Sequence, residues 1–303
     1  MIVSDLGLSA LSRMLAGPGL RLRTGPLVSQ IRSRIPLVAQ GIALHYAAHP
    51  VEPSDGFADF HIRIARPANL RRWMQPQVIF QLDQSAPFSP LPANQAFPML
   101  EWGMNWCASS LCNQYLTIHA AVVEKSGRAL ILPAPPGSGK STLCAGLVNR
   151  GWRLLSDELT LIDPANGHIT PLPRPVSLKN KSIRVIQDFA PTARFTPPVH
   201  DTVKGTVAHM QPPLETVQRA METARPGWMV LPRYEAGAAT TLTPLPKAQA
   251  LIQLADNAFN YALHGSSGFE TLVQLIENSQ CYTFTYSQLD EAVAVFDQLA
   301  LQP

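Results

Sequence analysis

The part of the chain best suited to a chemical task is a glycine-rich loop, residues 134–142, that ends in Lys-Ser-Thr. The apolar residues 128–133 before the loop are predicted to form a strand, and the amphipathic run 143–150 after it a helix. A strand, a glycine loop and a helix in this order direct backbone N–H groups and the positive end of the helix at a phosphate chain. The residues predicted to bind a nucleotide are Pro136, Gly137, Ser138, Gly139, Lys140, Ser141 and Thr142.

Each residue type in the loop has a defined task in this prediction. The glycines let the backbone approach the phosphates because no Cβ stands in the way. Lys140 is expected to reach the β- and γ-phosphates and the Ser141 hydroxyl to ligate Mg²⁺, so ATP and Mg²⁺ are the predicted cofactors. The strict pattern has glycine at position 134, where this chain has alanine. The first turn of the loop must therefore accommodate a Cβ.

Two adjacent acids lie on the next predicted strand, residues 152–163. Asp157 follows Lys140 by only 17 residues, a compact spacing that argues against motor ATPases and GTPase switches. Phosphorylation of a hydroxyl needs alignment, neutralisation of charge and an acidic side chain that accepts the hydroxyl proton. Asp157 is predicted to be this base and a Mg²⁺ ligand. Glu158 points to the opposite face of a regular strand, so it either binds metal through a bend or stabilises the sheet.

A histidine and two lysines complete the candidate site. His119 lies on the strand predicted over residues 116–123, across a hairpin turn from the loop strand. It either acts catalytically at the phosphates or is a satisfied core histidine. Lys179 lies in a loop that enters a strand or helix, and Lys204 in a proline-rich segment, residues 187–213, predicted to be a mobile lid or substrate loop. Both are predicted to contact substrate or phosphate, with a solvated surface lysine as the alternative for Lys179.

The remaining patterns predict an α/β fold with a mixed sheet. Residues 8–15 read as a helix, and residues 58–64 and 77–82 as strands. A proline cluster at 87–98 divides the chain into a small mixed α/β N-terminal domain, residues 1–95, and a catalytic domain, residues 96–303. Further helices are predicted at 101–106, 214–223, 247–264, 269–278 and 290–299, and further strands at 227–231 and 281–286. The last helix is predicted to begin with a capping box from Ser287 to Asp290.

Composition narrows the classes of function. A net charge of +3 with 15% charged residues is too weak and too scattered for a nucleic-acid binder. The longest uncharged stretch, residues 102–123, contains several polar residues, so we expect no membrane span. The acid at Asp5 stands where a secretory signal needs basic residues, which predicts a cytoplasmic protein. The four cysteines lack metal-ligand spacing and are predicted to be buried thiols.

Residues 116–121, the glycine loop and residues 150–158 resemble the catalytic domain of HPr kinase/phosphorylase. Residues 101–106 and 203–206 are similar, more narrowly, to the HPr-kinase-related kinases of the system A branch, which are found beside PqqD-like proteins. The resemblance to this branch covers most of the chain, and that to true HPr kinase roughly residues 116–299.

The resemblance implies a P-loop core akin to phosphoenolpyruvate carboxykinase and, as in HPr kinase, phosphorylation of a hydroxyl such as a protein serine. It places the family's acidic pair on Asp157 and Glu158 and its strand histidine on His119. The family's Glu-x-Arg-Gly signature aligns with residues 202–205, so Thr202 replaces the metal-binding glutamate unless Asp201 substitutes for it. A PqqD-like neighbour protein is an implied partner, and a homo-oligomer is left open.

Together these features predict an ATP-dependent kinase that transfers the γ-phosphoryl group to a hydroxyl of a peptide, a protein or a small molecule. The alternative is a nucleotide-binding regulatory protein whose catalysis has decayed. Ala134 and Thr202 motivate this alternative, because each departs from the pattern of an active enzyme.

Overall fold

The computed structural model describes residues 1–135 and 137–302, and within them the chain has a mixed α/β fold with helices packed on four β-sheets. The first sheet has five strands in the order β1 to β5 and carries helices α1 and α2. Helix α1 and strands β3 and β4 confirm the predictions for the N-terminal region. The elements of this part are α1 (Gly7–Ala16), β1 (Leu20–Thr24), β2 (Leu27–Ser33), α2 (Pro36–His45), β3 (Phe60–Ala65), β4 (Gln77–Leu82) and β5 (Leu91–Pro92).

Helix α3 (Ala96–Leu111) extends the predicted helix 101–106 in both directions and packs against the first sheet. Gly103 of α3 lies directly against the ring of Phe80, and Phe97 lies against Gly41 of α2, so a Cβ at either glycine would overlap an aromatic ring. Helix α3 thus shares the hydrophobic core of the N-terminal elements, together with Leu161 from later in the chain. The domain boundary at residue 95 stays a prediction.

The largest sheet is mixed and has six strands. These are β7 (Ala120–Lys125), β8 (Arg128–Pro133), β9 (Arg153–Ser156), β15 (Arg225–Tyr234), β16 (Thr241–Pro244) and β17 (Gln280–Tyr286), in the order β16-β17-β15-β8-β7-β9. Strands β8, β15 and β17 run parallel, and β7 runs antiparallel to both β8 and β9. The hairpin of β7 and β8 confirms that prediction.

Helices cover both faces of this sheet. Alternate residues of β8 enter two different cores: Leu130 and Leu132 pack toward one face, Ala129 and Ile131 toward the other. The helices of the first face are α4 (Lys140–Val148), α5 (Lys181–Phe189) and α9 (Leu289–Ala300), and those of the second are α7 (Lys247–Asp256) and α8 (Tyr261–Glu277). Burial on both faces explains why these strands are almost continuously apolar.

Two predicted strands are each divided between sheets, which corrects the sequence-based interpretation. Residues 116–123 form β6 (Leu116–Ile118) and β7, with a bend at His119. Residues 152–163 form β9 and β10 (Thr160–Ile162), with a bend at Asp157 and Glu158. β6 and β10 pair with each other in a separate three-stranded sheet with β11 (Ile169–Thr170). The two antiparallel segments therefore change sheets at the same level.

The proline-rich segment, residues 187–213, contains regular secondary structure that the sequence did not predict. It contains an antiparallel hairpin, β13 (Val199–Thr202) and β14 (Gly205–Met210), which forms a third sheet with β12 (Val176–Lys179) in the order β12-β14-β13. Residues 176–179 are therefore a strand that leads into α5.

In the C-terminal part of the chain, the structure corrects several predicted element boundaries. Helix α6 (Leu214–Gln218) is shorter than predicted, and the predicted helix 247–264 is interrupted between α7 and α8. Strand β17 and helix α9 are confirmed, but the capping box is wrong: the Ser287 hydroxyl donates to the carbonyl oxygen of Ala238 instead.

The four cysteines are buried thiols, as predicted. Among residues 1–135 and 137–302, no helix combines the length and the apolar character that a bilayer crossing requires.

Candidate functional site

The candidate site lies at one edge of the six-stranded sheet, where chain ends and bends meet. β8, β9, β15 and β17 all finish at this edge, and antiparallel β7 begins there. The glycine loop follows β8, the acidic pair follows β9, and His119 immediately precedes β7. The carboxyl edge of parallel strands is the usual place for a ligand in an open α/β sheet.

The glycine loop bends through two left-handed residues, Gly137 and Gly139, each with φ of 90°. A Cβ on Gly139 would lie 2.6 Å from the hydroxyl oxygen of Tyr286 and 2.8 Å from Cβ of Tyr234, whereas no described atom lies within 4 Å of that position on Gly137. Helix α4 then begins at Lys140, one turn earlier than predicted, and no side-chain cap is seen at its start in the part of the chain that is described. Its first N–H groups therefore lack a side-chain acceptor.

Two tyrosines that sequence reasoning missed hold this loop. The Tyr286 hydroxyl donates to the carbonyl oxygen of Gly139 at 2.9 Å. The backbone N–H of Tyr234 donates to the carbonyl oxygen of Ser138 at 2.9 Å. Tyr234 and Tyr286 are the last residues of β15 and β17. In the sequence, these tyrosines are marked only by their position at the end of a predicted strand. That position brings them to the loop because β15 pairs in parallel with β8, and β17 with β15.

Lys140 and His119 form a buried polar contact beside the loop. Their Nζ and Nε2 atoms are 3.1 Å apart, and Lys140 is only 8% exposed. Burial and the charge of Lys140 lower the pKa of His119 to about 4, so the imidazole is neutral at pH 7 and accepts the hydrogen bond. Burial also lowers the pKa of Lys140, although Asp157 and Glu158 oppose this shift. His119 therefore lies beside the loop, and its role there, catalytic or as a satisfied core histidine, stays a prediction.

The Asp157 carboxyl group has one satisfied and one unsatisfied oxygen. Oδ2 accepts a hydrogen bond from the backbone N–H of Ser177 at 3.0 Å, while Oδ1 is buried without a partner among the described residues. Burial and the charge of Glu158 raise its pKa to about 6, against the opposing effect of Lys140. The Ser141 hydroxyl is near enough to favour the charged carboxylate but makes no hydrogen bond to Oδ1. A buried carboxylate oxygen in this state needs a cation or a hydrogen-bond donor.

The other predicted residues converge on the same cleft. Burial lowers the pKa of both Lys140 and Lys204, the charge of Lys179 adds to this shift, and the charge of Glu158 opposes it. Glu158 lies at the bend after β9 and borders the same small polar cavity as Asp157. Lys179 ends β12, and Lys204 occupies the tip of the β13–β14 hairpin with its ammonium group 5.0 Å from the centre of the Trp102 ring. Of the predicted binding residues, Pro136 alone lies outside the described part of the chain.

Thr202 does not take the place of a metal-binding glutamate. Its hydroxyl donates to the carbonyl oxygen of Gly205 at 2.7 Å and accepts from the backbone N–H of Lys204 at 3.0 Å. This residue therefore stabilises the hairpin turn that carries Lys204. The Asp201 side chain next to it is exposed.

A magnesium ion fits the residues present, although the described residues hold no group of three or more His, Cys, Asp or Glu side chains that would bind a metal ion. Mg²⁺ is commonly held by one or two carboxylates together with substrate phosphates and water. Here Asp157 provides one carboxylate, through its free Oδ1, and the Ser141 hydroxyl at the start of α4 provides a second oxygen.

Residues 102–182 match a protein family described as SynChlorMet cassette protein ScmC. The match covers about a quarter of the chain, and it includes the glycine loop, His119, Asp157, Glu158 and Lys179. No curated protein matches the chain.

Proposed function

We propose that this chain is an ATP-dependent kinase that transfers the γ-phosphoryl group of ATP to a hydroxyl group of an acceptor. The observation that carries the proposal is the unpaired, buried Oδ1 of Asp157, close to Lys140 and to the start of α4. Leaving a carboxylate oxygen buried and unpaired costs stability, as groups kept for function often do. A metal ion held there, or the proton of an acceptor hydroxyl, removes this cost.

The residues divide the work of phosphoryl transfer. When bound, Mg²⁺ and ATP supply the phosphoryl group and neutralise its charge. The glycine loop and Lys140 hold the phosphates, and Ser141 with Asp157 holds the metal ion. Asp157 is also the carboxylate placed to accept the hydroxyl proton, and its pKa of about 6 without a metal ion leaves it charged at neutral pH. Lys179 and Lys204 reach phosphate or the acceptor, and His119 fixes the direction of Lys140.

The resemblance to the HPr-kinase-related kinases supports a P-loop kinase core, since its motifs are the residues that converge at the sheet edge. On this proposal the enzyme works in the cytoplasm, where ATP is available. The word "cassette" in the name of the matching family fits an enzyme that works beside the products of neighbouring genes. A PqqD-like neighbour protein is therefore among the first acceptors or partners to test.

One observation favours a second candidate, a nucleotide-binding regulator without catalysis. At Thr202, where the resemblance places a metal-binding glutamate, the side chain is a hydroxyl that is hydrogen-bonded within its own hairpin and carries no charge for a second metal ion. Both candidates require ATP binding, and they differ in whether phosphate leaves ATP.

The ATP site is tested first by thermal unfolding with and without Mg²⁺ and ATP. We expect a concentration-dependent rise in Tm for the wild type, and none for Lys140→Ala because the phosphates lose their cation. Lys247→Ala is the matched control, since this lysine starts α7 and donates to the carbonyl oxygen of Glu277. An unchanged rise for Lys140→Ala would remove the loop from the nucleotide site.

Turnover separates the two candidates. ADP release with phosphate incorporated into an acceptor, read by intact mass, supports the kinase. A normal rise in Tm with no loss of γ-phosphate to any acceptor, water included, supports the regulator.

A further inference from the structure

An apolar pocket of about 350 Å³ opens beside the candidate site. Its volume lies within the range of about 300–1,000 Å³ that is usual for ligand pockets. The residues that line it are mostly aromatic or aliphatic: Pro87, Phe88, Ser89, Leu91, Met99, Trp102, Trp106 and Val203. They come from the proline-rich segment before α3, from α3 itself and from the tip of the β13–β14 hairpin.

The pocket shares a wall with the charged cleft. Trp102 lines the apolar pocket and also a small polar cavity of about 20 Å³ that Asp157 and Glu158 border. At the hairpin tip, Val203 lines the apolar pocket while the next residue, Lys204, places its ammonium group over the Trp102 ring. A molecule that reaches Lys204 therefore lies next to the wall that the two cavities share.

The walls are arranged for an apolar group before one is bound. Phe88 packs edge-on against Trp106, with ring centres 5.4 Å apart, and tilts against Phe80 at 5.2 Å. Val203, by contrast, is 83% exposed to water at the tip of its hairpin. Filling the pocket would remove this isopropyl group from water and thereby add to affinity.

We propose that this pocket binds a bulky apolar side chain of a peptide acceptor, one or two residues from the hydroxyl that is phosphorylated. The inference rests on the proposed function and names the acceptor chemistry for the same site. The shared Trp102 wall places the pocket beside the polar cavity that Asp157 borders, so a side chain near the reacting serine can enter it. The neighbouring strand β13 is an edge strand of its sheet, and edge strands are where extended peptides add to a sheet.

The test is selective retention of a peptide library on the immobilised protein. The library has a fixed central serine with three randomised positions on each side, and retained peptides are read by mass spectrometry, first without ATP. We expect Phe, Trp, Leu and Met to be enriched about tenfold at one flanking position, since burial of one such side chain is worth about that factor or more. Val203→Asp should abolish the enrichment because it places a charge at the pocket wall.

The matched control is Val185→Asp, which adds the same charge on an exposed part of α5 and should keep the enrichment. Trp106→Ala should reduce the enrichment, and circular dichroism of each variant reports whether it is folded. No retention, retention without a preference, or a preference that survives Val203→Asp would overturn the proposal.

Adding Mg²⁺ and ATP to the retained pool separates this inference from the proposed function. Enriched peptides that bind but never gain phosphate would contradict the kinase and leave the pocket assignment standing. Phosphorylation of serine peptides without any apolar preference would support the kinase and contradict the pocket.

Discussion

The buried carboxylate of Asp157 lowers the stability of the fold, whereas the proposed phosphoryl transfer requires it. Its pKa of about 6 in the folded protein lies above the ordinary aspartate value of about 3.9. Between these two pH values the folded chain binds more protons than the unfolded chain, so this group lowers stability as the pH rises through the window. At neutral pH the charged carboxylate is present in full and its cost is complete.

Asp157→Asn should therefore stabilise the protein at pH 7.5. A shift of about two pKa units corresponds to up to about 3 kcal/mol, and the gain should vanish below about pH 4, where both states of the wild type are protonated. Urea unfolding at several pH values measures this difference. A variant that is less stable than wild type at pH 7.5 would show that the carboxylate is stabilised rather than strained in its site.

The same substitution should collapse phosphoryl transfer. Loss of a general base typically costs about 10²–10⁴ in rate, while the ATP-dependent rise in Tm should change much less. Bound Mg²⁺ lowers the pKa of about 6 that the Asp157 carboxyl has without a metal ion, so in the wild type kcat should fall only at a pH below 6. If ATP binding falls as steeply as transfer, Asp157 acts mainly as a metal ligand. If neither changes, the acids at this bend are structural.

At the scale of elements, the glycine loop offers a pair of substitutions that separates strain from collision. Gly137 and Gly139 have the same left-handed φ of 90°, but only Gly139 faces neighbours, at Tyr286 and Tyr234. Gly137→Ala should cost about 1 kcal/mol of stability from backbone strain. Gly139→Ala should cost more and should abolish the ATP-dependent rise in Tm, since the loop must move away from the tyrosines.

Thermal unfolding of both variants, with and without Mg²⁺ and ATP, makes the comparison. Equal effects of the two substitutions would mean that the tyrosines do not fix the loop. Tyr286→Phe provides a milder check because it removes only the hydrogen bond to the Gly139 carbonyl oxygen.

The sequence predicts elements well where the signal is local. The glycine loop, the β7–β8 hairpin and helix α9 follow from turn residues and periodicity within a few positions. The sequence does not predict the bends at His119 and Asp157, because buried apolar residues resume after each of them, at Ala120 and at Leu159, as in one continuous strand. The roles of Tyr234 and Tyr286 were missed for another reason: they depend on parallel pairing between strands more than 40 residues apart in the chain.

At the scale of the whole molecule, one buried ion pair joins the N-terminal elements to the site. Arg174 contacts Glu101 of α3 at 2.9 Å, and the Tyr46 hydroxyl donates to the other Glu101 oxygen at 2.7 Å. Arg174 also donates to Asn105 at 2.6 Å. The pair borders the small polar cavity next to Asp157 and Glu158.

Arg174→Ala should lower the free energy of unfolding by about 3–5 kcal/mol, because it leaves the Glu101 carboxylate buried without its cation. Urea unfolding measures the loss. The control is Arg184→Ala, which breaks an exposed pair with Asp188 on α5 and should cost less than about 1 kcal/mol. Equal losses in the two variants would show that the buried pair adds nothing beyond an exposed one.

This long-range pairing explains the limit of the sequence at the largest scale. Arg174 and Glu101 are 73 residues apart, and neither has a local pattern that sets it apart from a surface charge. The proline cluster correctly marked a loop before α3, but it could not reveal that part of that loop forms a wall of the apolar pocket.

The bends between β6 and β7 and between β9 and β10 also bear on the order in which the candidate site forms during folding. β6 and β7 are consecutive, as are β9 and β10, yet each half must pair in a different sheet before His119 stands opposite Asp157. The β6–β10 and β7–β9 pairings both close loops of some 30 residues or more, which is slow relative to local structure. On the proposed function, the acids reach the glycine loop only once both of these long-range pairings have formed, so the site is completed later than the local β7–β8 hairpin.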